Sequence, residues 1–252
     1  MLKNKIRRNA LIIQNPGEAS DFRQGVLHDV ERFCKFLTSN AGGGWENNEI
    51  TVMPADCTVD GIEEYFNRTS SVTDYYLILF TGHGSYREDS GPICWLMNGE
   101  GFTHSWLEEK VAGVPTLFLT DSCQGIDKFN EGGKIKQRTF SSVTDSTDRQ
   151  SYRRVYDDKL RNLPGGMFVV GSSVSPGEYA KEDPKAGGYY LISLLSEANK
   201  INKDSSAESG VYGIAYIHML ASEKVETLSK GRQTPYLEGY NRSFQPPFMV
   251  KL

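Results

Sequence analysis

A histidine and a cysteine stand at matching places in this chain. His83 follows the apolar run 75–80 inside "TGHG", and Cys123 follows the apolar run 116–119 inside "DSCQG". A cysteine attacks as its thiolate, and a neighbouring imidazole takes that proton and later passes it to a leaving amine. The backbone N–H groups of Gly84 and Cys123 are candidates to hold the oxygen of a tetrahedral intermediate, and glycine beside the histidine lets a substrate backbone come close. Each piece alone has a plainer reading: the cysteine as a small buried hydrophobe, the histidine as a turn residue. At the ends of two consecutive apolar runs, they read as a thiol–imidazole pair. No Asp or Asn is placed to orient His83, which leaves a backbone carbonyl for that task. His28, His104 and His218 fall inside helical patterns and read as surface or packing residues.

The elements that must position this pair are legible as apolar runs alternating with helix-period segments. Strands are expected at 10–14, 49–53, 75–80, 116–119 and 167–170, with a closing strand in "TPYLEGY". Helices are expected at 23–37, 59–66 with Thr58 as cap, 104–111, 188–199 and 211–228. Such alternation implies a mostly parallel sheet with helices on both faces. The run 75–80 is continuous enough to be buried on both sides. Ligands of such sheets sit beyond the carboxyl ends of the strands, and consecutive strands are often neighbours. On that placement His83 and Cys123 face each other across one edge. The segment 126–164 is polar and dense in Ser, Thr, Asp, Arg and Lys, and reads as one long loop.

Composition narrows the function classes. The chain has 252 residues, enough for a single domain with a sizeable core, and a net charge of -4 gives no general attraction to nucleic acid or to an anionic membrane surface. No apolar run reaches transmembrane length, and 10–13 is too short for a signal-peptide core. Four scattered cysteines without zinc-ligand spacing suggest reduced thiols and a cytoplasmic setting, in which the sequons at Asn67 and Asn241 carry no meaning. No metal site is expected.

The two motifs resemble those of the caspase–metacaspase peptidases. The caspase signature has Gln-Ala-Cys at the nucleophile and its histidine about fifty residues upstream. Here Asp-Ser precedes the cysteine and the gap from His83 to Cys123 is forty residues. The Asp-Ser-Cys form is closer to metacaspases and their bacterial relatives, which continue His-Ser-Gly where this chain has Gln124 and Gly125. Further matches run in order along the chain: "RQGVLHDVERFCKFL", "GSSVSPGEYAKE" with "GGYYLISLL", and "GRQTPYLEG". The resemblance implies a single three-layer α/β/α domain over 1–252 with a mostly parallel central sheet of about six strands. It also implies a cysteine endopeptidase with Cys123 as nucleophile, His83 as general base, and the Gly84 and Cys123 amides as oxyanion hole. A peptide substrate would lie extended near Ser172, Ser173 and on to Ser175 as an added strand.

The same resemblance bears on specificity. A pocket for a charged side chain must supply the opposite charge. The metacaspase pocket acids match Asp29 and Asp121, with Thr81 at the small hydroxyl position, which implies cleavage after Arg or Lys. Arg23 stands where caspases hold a substrate aspartate, so cleavage after Asp is the competing expectation. Pairing of Arg23 with Asp29 or Asp121 would reconcile the two. Segment 126–164 fits a self-processing loop, with Lys134, Lys136, Arg138, Arg149, Arg153 and Arg154 as candidate cut sites. No cofactor is expected. Many metacaspases need calcium, and Glu88, Asp89 and Asp127 are a thin echo of its aspartate cluster, so calcium stays unassigned. A caspase-fold regulator without activity is the alternative function. A serine hydrolase is disfavoured because no Gly-x-Ser-x-Gly elbow is present.

Overall fold

A computed structural model describes residues 5–18, 21–125 and 148–252. The central sheet has six strands: β1 (Arg8–Asn15), β2 (Ile50–Val52), β3 (Tyr75–Gly82), β7 (Thr116–Ser122), β8 (Phe168–Ser172) and β12 (Tyr236–Glu238). Their order across the sheet is β12-β8-β7-β3-β1-β2, and only β12 runs antiparallel to its neighbour. Every residue of β3 and of β7 is buried. The chain steps from β1 to β2 in one direction and then builds β3, β7 and β8 in the other. The direction changes between β1 and β3, where an open α/β sheet leaves a crevice at its carboxyl edge.

Alternate side chains of the strands feed two cores, as a strand period of two requires. On one face Ala10, Ile12, Leu77, Leu79, Leu117 and Leu119 pack beneath α1 (Gln24–Thr38), α4 (Arg149–Leu160), α5 (Tyr189–Lys203) and α6 (Ile214–Ser229). On the other, Leu11, Ile13, Tyr76, Ile78, Phe80 and Phe118 meet α2 (Val59–Thr69) and α3 (His104–Lys110). This is the three-layer arrangement expected. In α1 the buried Val26, Val30, Phe33 and Leu37 recur at helical spacing, so one stripe meets the sheet. Thr58 caps α2, its hydroxyl accepting from the Gly61 N–H at 3.0 Å. His104 packs edge-on against Phe118 and His218 bonds Tyr190, both buried as packing residues.

Two expectations need correction. The segment 126–164 is not one loop, because Arg149–Leu160 is helix α4. Tyr152, Tyr156 and Leu160, four residues apart, bury its inner face, a stripe hidden in the sequence by the charges around it. Arg149, Arg153 and Arg154 therefore sit in a helix, whereas a peptidase binds its substrate extended; Lys134, Lys136, Arg138 and Asp127 lie outside the described residues. Residues 211–213, expected as helix, belong to β11 (Gly210–Gly213), which pairs with β13 (Pro247–Lys251). A small antiparallel sheet of β4 (Gly84–Arg87), β5 (Gly91–Trp95) and β6 (Gly101–Thr103) was not foreseen; it buries Cys94 and Phe102 above the second core.

Candidate active site

The parallel register between β3 and β7 pairs Thr81 with Asp121 and Gly82 with Ser122. His83 and Cys123 are thus the next residues beyond two aligned strand ends. Gly84 lies against the cysteine's backbone: a Cβ there would stand 2.5 Å from the Cys123 carbonyl oxygen, so only glycine fits. His83 is buried, and its Nε2 is 3.2 Å from the backbone oxygen of Asp21, a carbonyl of the kind expected to orient it. Burial pulls the His83 imidazole below its ordinary pKa, and the nearby Arg23 guanidinium adds to this. Burial pushes the Cys123 thiol up, while Arg23 opposes. Both groups are thereby held toward their neutral forms.

Beside the cysteine is a cavity of about 300 Å³ including the solvent at its mouth, lined by Arg23, Asp29, Thr81, Asp121, Cys123 and Glu182 among others. Asp29 accepts from the Thr81 hydroxyl at 3.0 Å and from the Gly188 N–H at 3.0 Å. Asp121 accepts from the Leu191 N–H at 2.9 Å. Gly188 and Leu191 form the amino end of α5, whose cap residue Gly188 has no side chain to offer, so the two carboxylates supply the missing acceptors. Burial, then the neighbouring Asp121, holds Asp29 well above the usual carboxylate range. Burial pushes Asp121 up to about 6.

Five of the residues singled out in the sequence thus share one cavity: Arg23, Asp29, Thr81, Asp121 and Cys123. Arg23 does not pair with Asp29 or Asp121. Its guanidinium is 3.8 Å from Glu182, a residue that sequence reasoning passed over although it stands inside the quoted "GEYAKE". Ser172 and Ser173 are fully buried and do not line the cavity. The Ser172 hydroxyl accepts from Gln124 Nε2 at 2.8 Å, and the Ser173 hydroxyl donates to the Ser122 carbonyl at 3.1 Å. Strand β8 is also paired on both sides at Ser172, with Thr120 and Tyr236, so no free edge remains there for an added strand. Gln124 has a structural task, binding the turn after β7 to β8. The Cys123 thiol points to the Ala180 carbonyl at 3.9 Å, which puts the segment before β9 (Glu182–Asp183) over the sulfur. Glu88 and Asp89 join no group of three metal-ligating side chains among the described residues. No helix among them is long and apolar enough to cross a membrane.

A model of the caspase domain of the C14 peptidases matches residues 7–244. The crystal structure of caspase-1 from Spodoptera frugiperda is similar in fold, with a TM-score of 0.61 at 17% identity over 95% of this chain and 88% of that one. No curated protein sequence matches. The chain belongs to the caspase-domain family and is a cysteine-type endopeptidase, whose substrates are proteins or peptides.

Proposed function

We propose that this peptidase cleaves after Arg or Lys, with Cys123 as nucleophile and His83 as general base. The observation that carries the reading is a pair of buried carboxylates, Asp29 and Asp121, lining the cavity that Cys123 also lines. A buried anion is expensive unless paired. Backbone N–H groups at the start of α5 satisfy part of that need, and a guanidinium or ammonium entering the cavity supplies the rest.

The chemistry follows from the neutral resting pair. His83 takes the thiol proton as the sulfur attacks the scissile carbonyl carbon, so the ion pair forms during reaction rather than before it. The carbonyl π electrons move to oxygen, which the Gly84 and Cys123 N–H groups receive. Collapse of this intermediate breaks the C–N bond, and the amine leaves with the proton from His83. Water then repeats the sequence on the thioester and frees the acid. A fluorogenic peptide panel ending in Arg, Lys, Asp or Glu tests the reading, run with and without calcium. The expected result is cleavage of Arg and Lys peptides by wild type and loss of at least about 1000-fold in Cys123→Ala or His83→Ala. Cleavage confined to Asp peptides would overturn the specificity, and wild-type turnover that survives Cys123→Ala would overturn the nucleophile.

A further inference from the structure

Arg23 is the residue that speaks against a basic specificity, and its position makes its pairing decisive. It lines the same cavity as Asp29 and Asp121, and its charge acts on both His83 and Cys123. A guanidinium free to turn inward would meet the aspartates and occupy the place of a basic substrate side chain. What meets it is Glu182, at 3.8 Å across the cavity mouth, with side-chain exposures of 36% for Arg23 and 21% for Glu182.

Glu182 is fixed from two directions. Strand β9 pairs it with Gly188 of β10 (Gly187–Gly188), the turn that also donates to Asp29. Its carboxylate lies against the first turn of α1, so close that a Cβ on Gly25 would overlap it. Gly25 stands two residues from Arg23, so the acid is brought to the guanidinium by backbone packing as well as by charge. Three carboxylates, Asp29, Asp121 and Glu182, thus share the cavity with Arg23 and Lys181.

We infer that Glu182 is a specificity-determining residue: by holding Arg23 at the mouth, it leaves Asp29 and Asp121 to a basic substrate side chain and withholds the Arg23 guanidinium from an acidic one. It acts through Arg23 and is a positioning residue. The inference rests on the basic specificity proposed above and names the residue that secures it.

The test measures binding in Cys123→Ala protein, by calorimetry with uncleaved peptides ending in Arg or in Asp, alongside kcat/KM in the active forms. Glu182→Gln keeps size and polarity but frees Arg23. The Arg-to-Asp affinity ratio is expected to fall by about 30-fold or more, because a freed cation both fills the pocket and attracts the wrong charge. Adding Arg23→Met to Glu182→Gln should restore the preference for Arg, which a merely structural role of Glu182 would not do. Wild-type preference for Arg together with an unchanged ratio in Glu182→Gln overturns this inference alone. So does failure of the double variant to restore the ratio while its melting temperature stays at the wild-type value. Wild-type preference for Asp, or for neither, overturns the basic specificity and this inference with it.

Discussion

The two ends of the central sheet are both furnished with buried charge. At the amino ends of the strands, Arg8 opens β1 with its side chain wholly buried, its guanidinium 3.4 Å from Glu49 and 3.3 Å from Asp157. It stacks 4.4 Å over Trp45 and also donates to the Gly43 carbonyl. Arg153 reaches both oxygens of Glu49. Two guanidiniums there face the buried Glu49 and Asp157, with Glu46 also 3.7 Å from Arg153, and backbone carbonyls and aromatic rings lie beside them. At the carboxyl ends, Asp29 and Asp121 have N–H donors and a hydroxyl but no side-chain cation bonded to them, and the nearby Arg23 is engaged elsewhere. Compensation marks the end that holds the fold. A deficit of positive charge, facing a cavity, marks the end where a basic substrate side chain is proposed to bind.

Arg8→Met should give the largest effect on stability, since removing one partner of a buried pair costs about 3–5 kcal/mol. Thermal unfolding should move down by on the order of 10 °C, with no change in the preference among panel peptides. Asp121→Asn should act in the opposite sense. A carboxylate raised to about 6 in the folded protein opposes folding once pH rises above its usual value, and does so fully above the folded value. The variant should therefore melt higher than wild type at pH 7.5 by several degrees and equal it near pH 3.5, while kcat/KM on Arg peptides drops about 100-fold. A stability gain at both pH values would mean that the charge is not the cause.

Wild-type cleavage of Arg peptides should decline as pH falls through about 6, where Asp121 takes up its proton. Peptides with a neutral residue before the cut do not draw on the Asp121 charge, so their rate should lack this limb, and burial moves the His83 limb below its ordinary position. Coincident acid limbs for both substrates would place the titration on the catalytic pair instead. The smallest effect serves as a reference away from both ends: Thr58→Ala removes the α2 cap, costs about 1 kcal/mol, and should leave every peptide ratio unchanged.

Much of this contrast was written in the sequence at one end only. Strand ends at Gly82 and Ser122 follow from apolar runs that stop in glycine and hydroxyl residues, so His83 and Cys123 could be brought together by topology alone. Asp29 and Asp121 came through resemblance, because nothing in periodicity sends a helix carboxylate and a strand carboxylate to one helix end. Glu182 had no local signal: its role depends on a two-residue strand turning back on Gly188, a contact made 157 residues from Gly25. The compensated end was hidden for another reason. Arg8 lies outside the first strand expected at 10–14, and Arg153 and Asp157 lie inside the expected polar loop, until helix α4 carries them to the sheet. Ser172 and Ser173 misled in the same way, since hydroxyl residues at a strand end suit substrate contact and internal bracing equally well.

Gly17 gives the histidine its place from behind. Its backbone turns at φ +69°, and the position a Cβ would take is 2.5 Å from His83 Nε2 and 2.5 Å from the Asp21 carbonyl oxygen. The smallest possible side chain would thus wedge apart the imidazole and the oxygen that aligns it, in a conformation that alanine also resists. Under the proposed mechanism, a methyl group at a bend with no ionisable chemistry of its own should disarm the enzyme while leaving the sheet, the thiol and the acids where they stand.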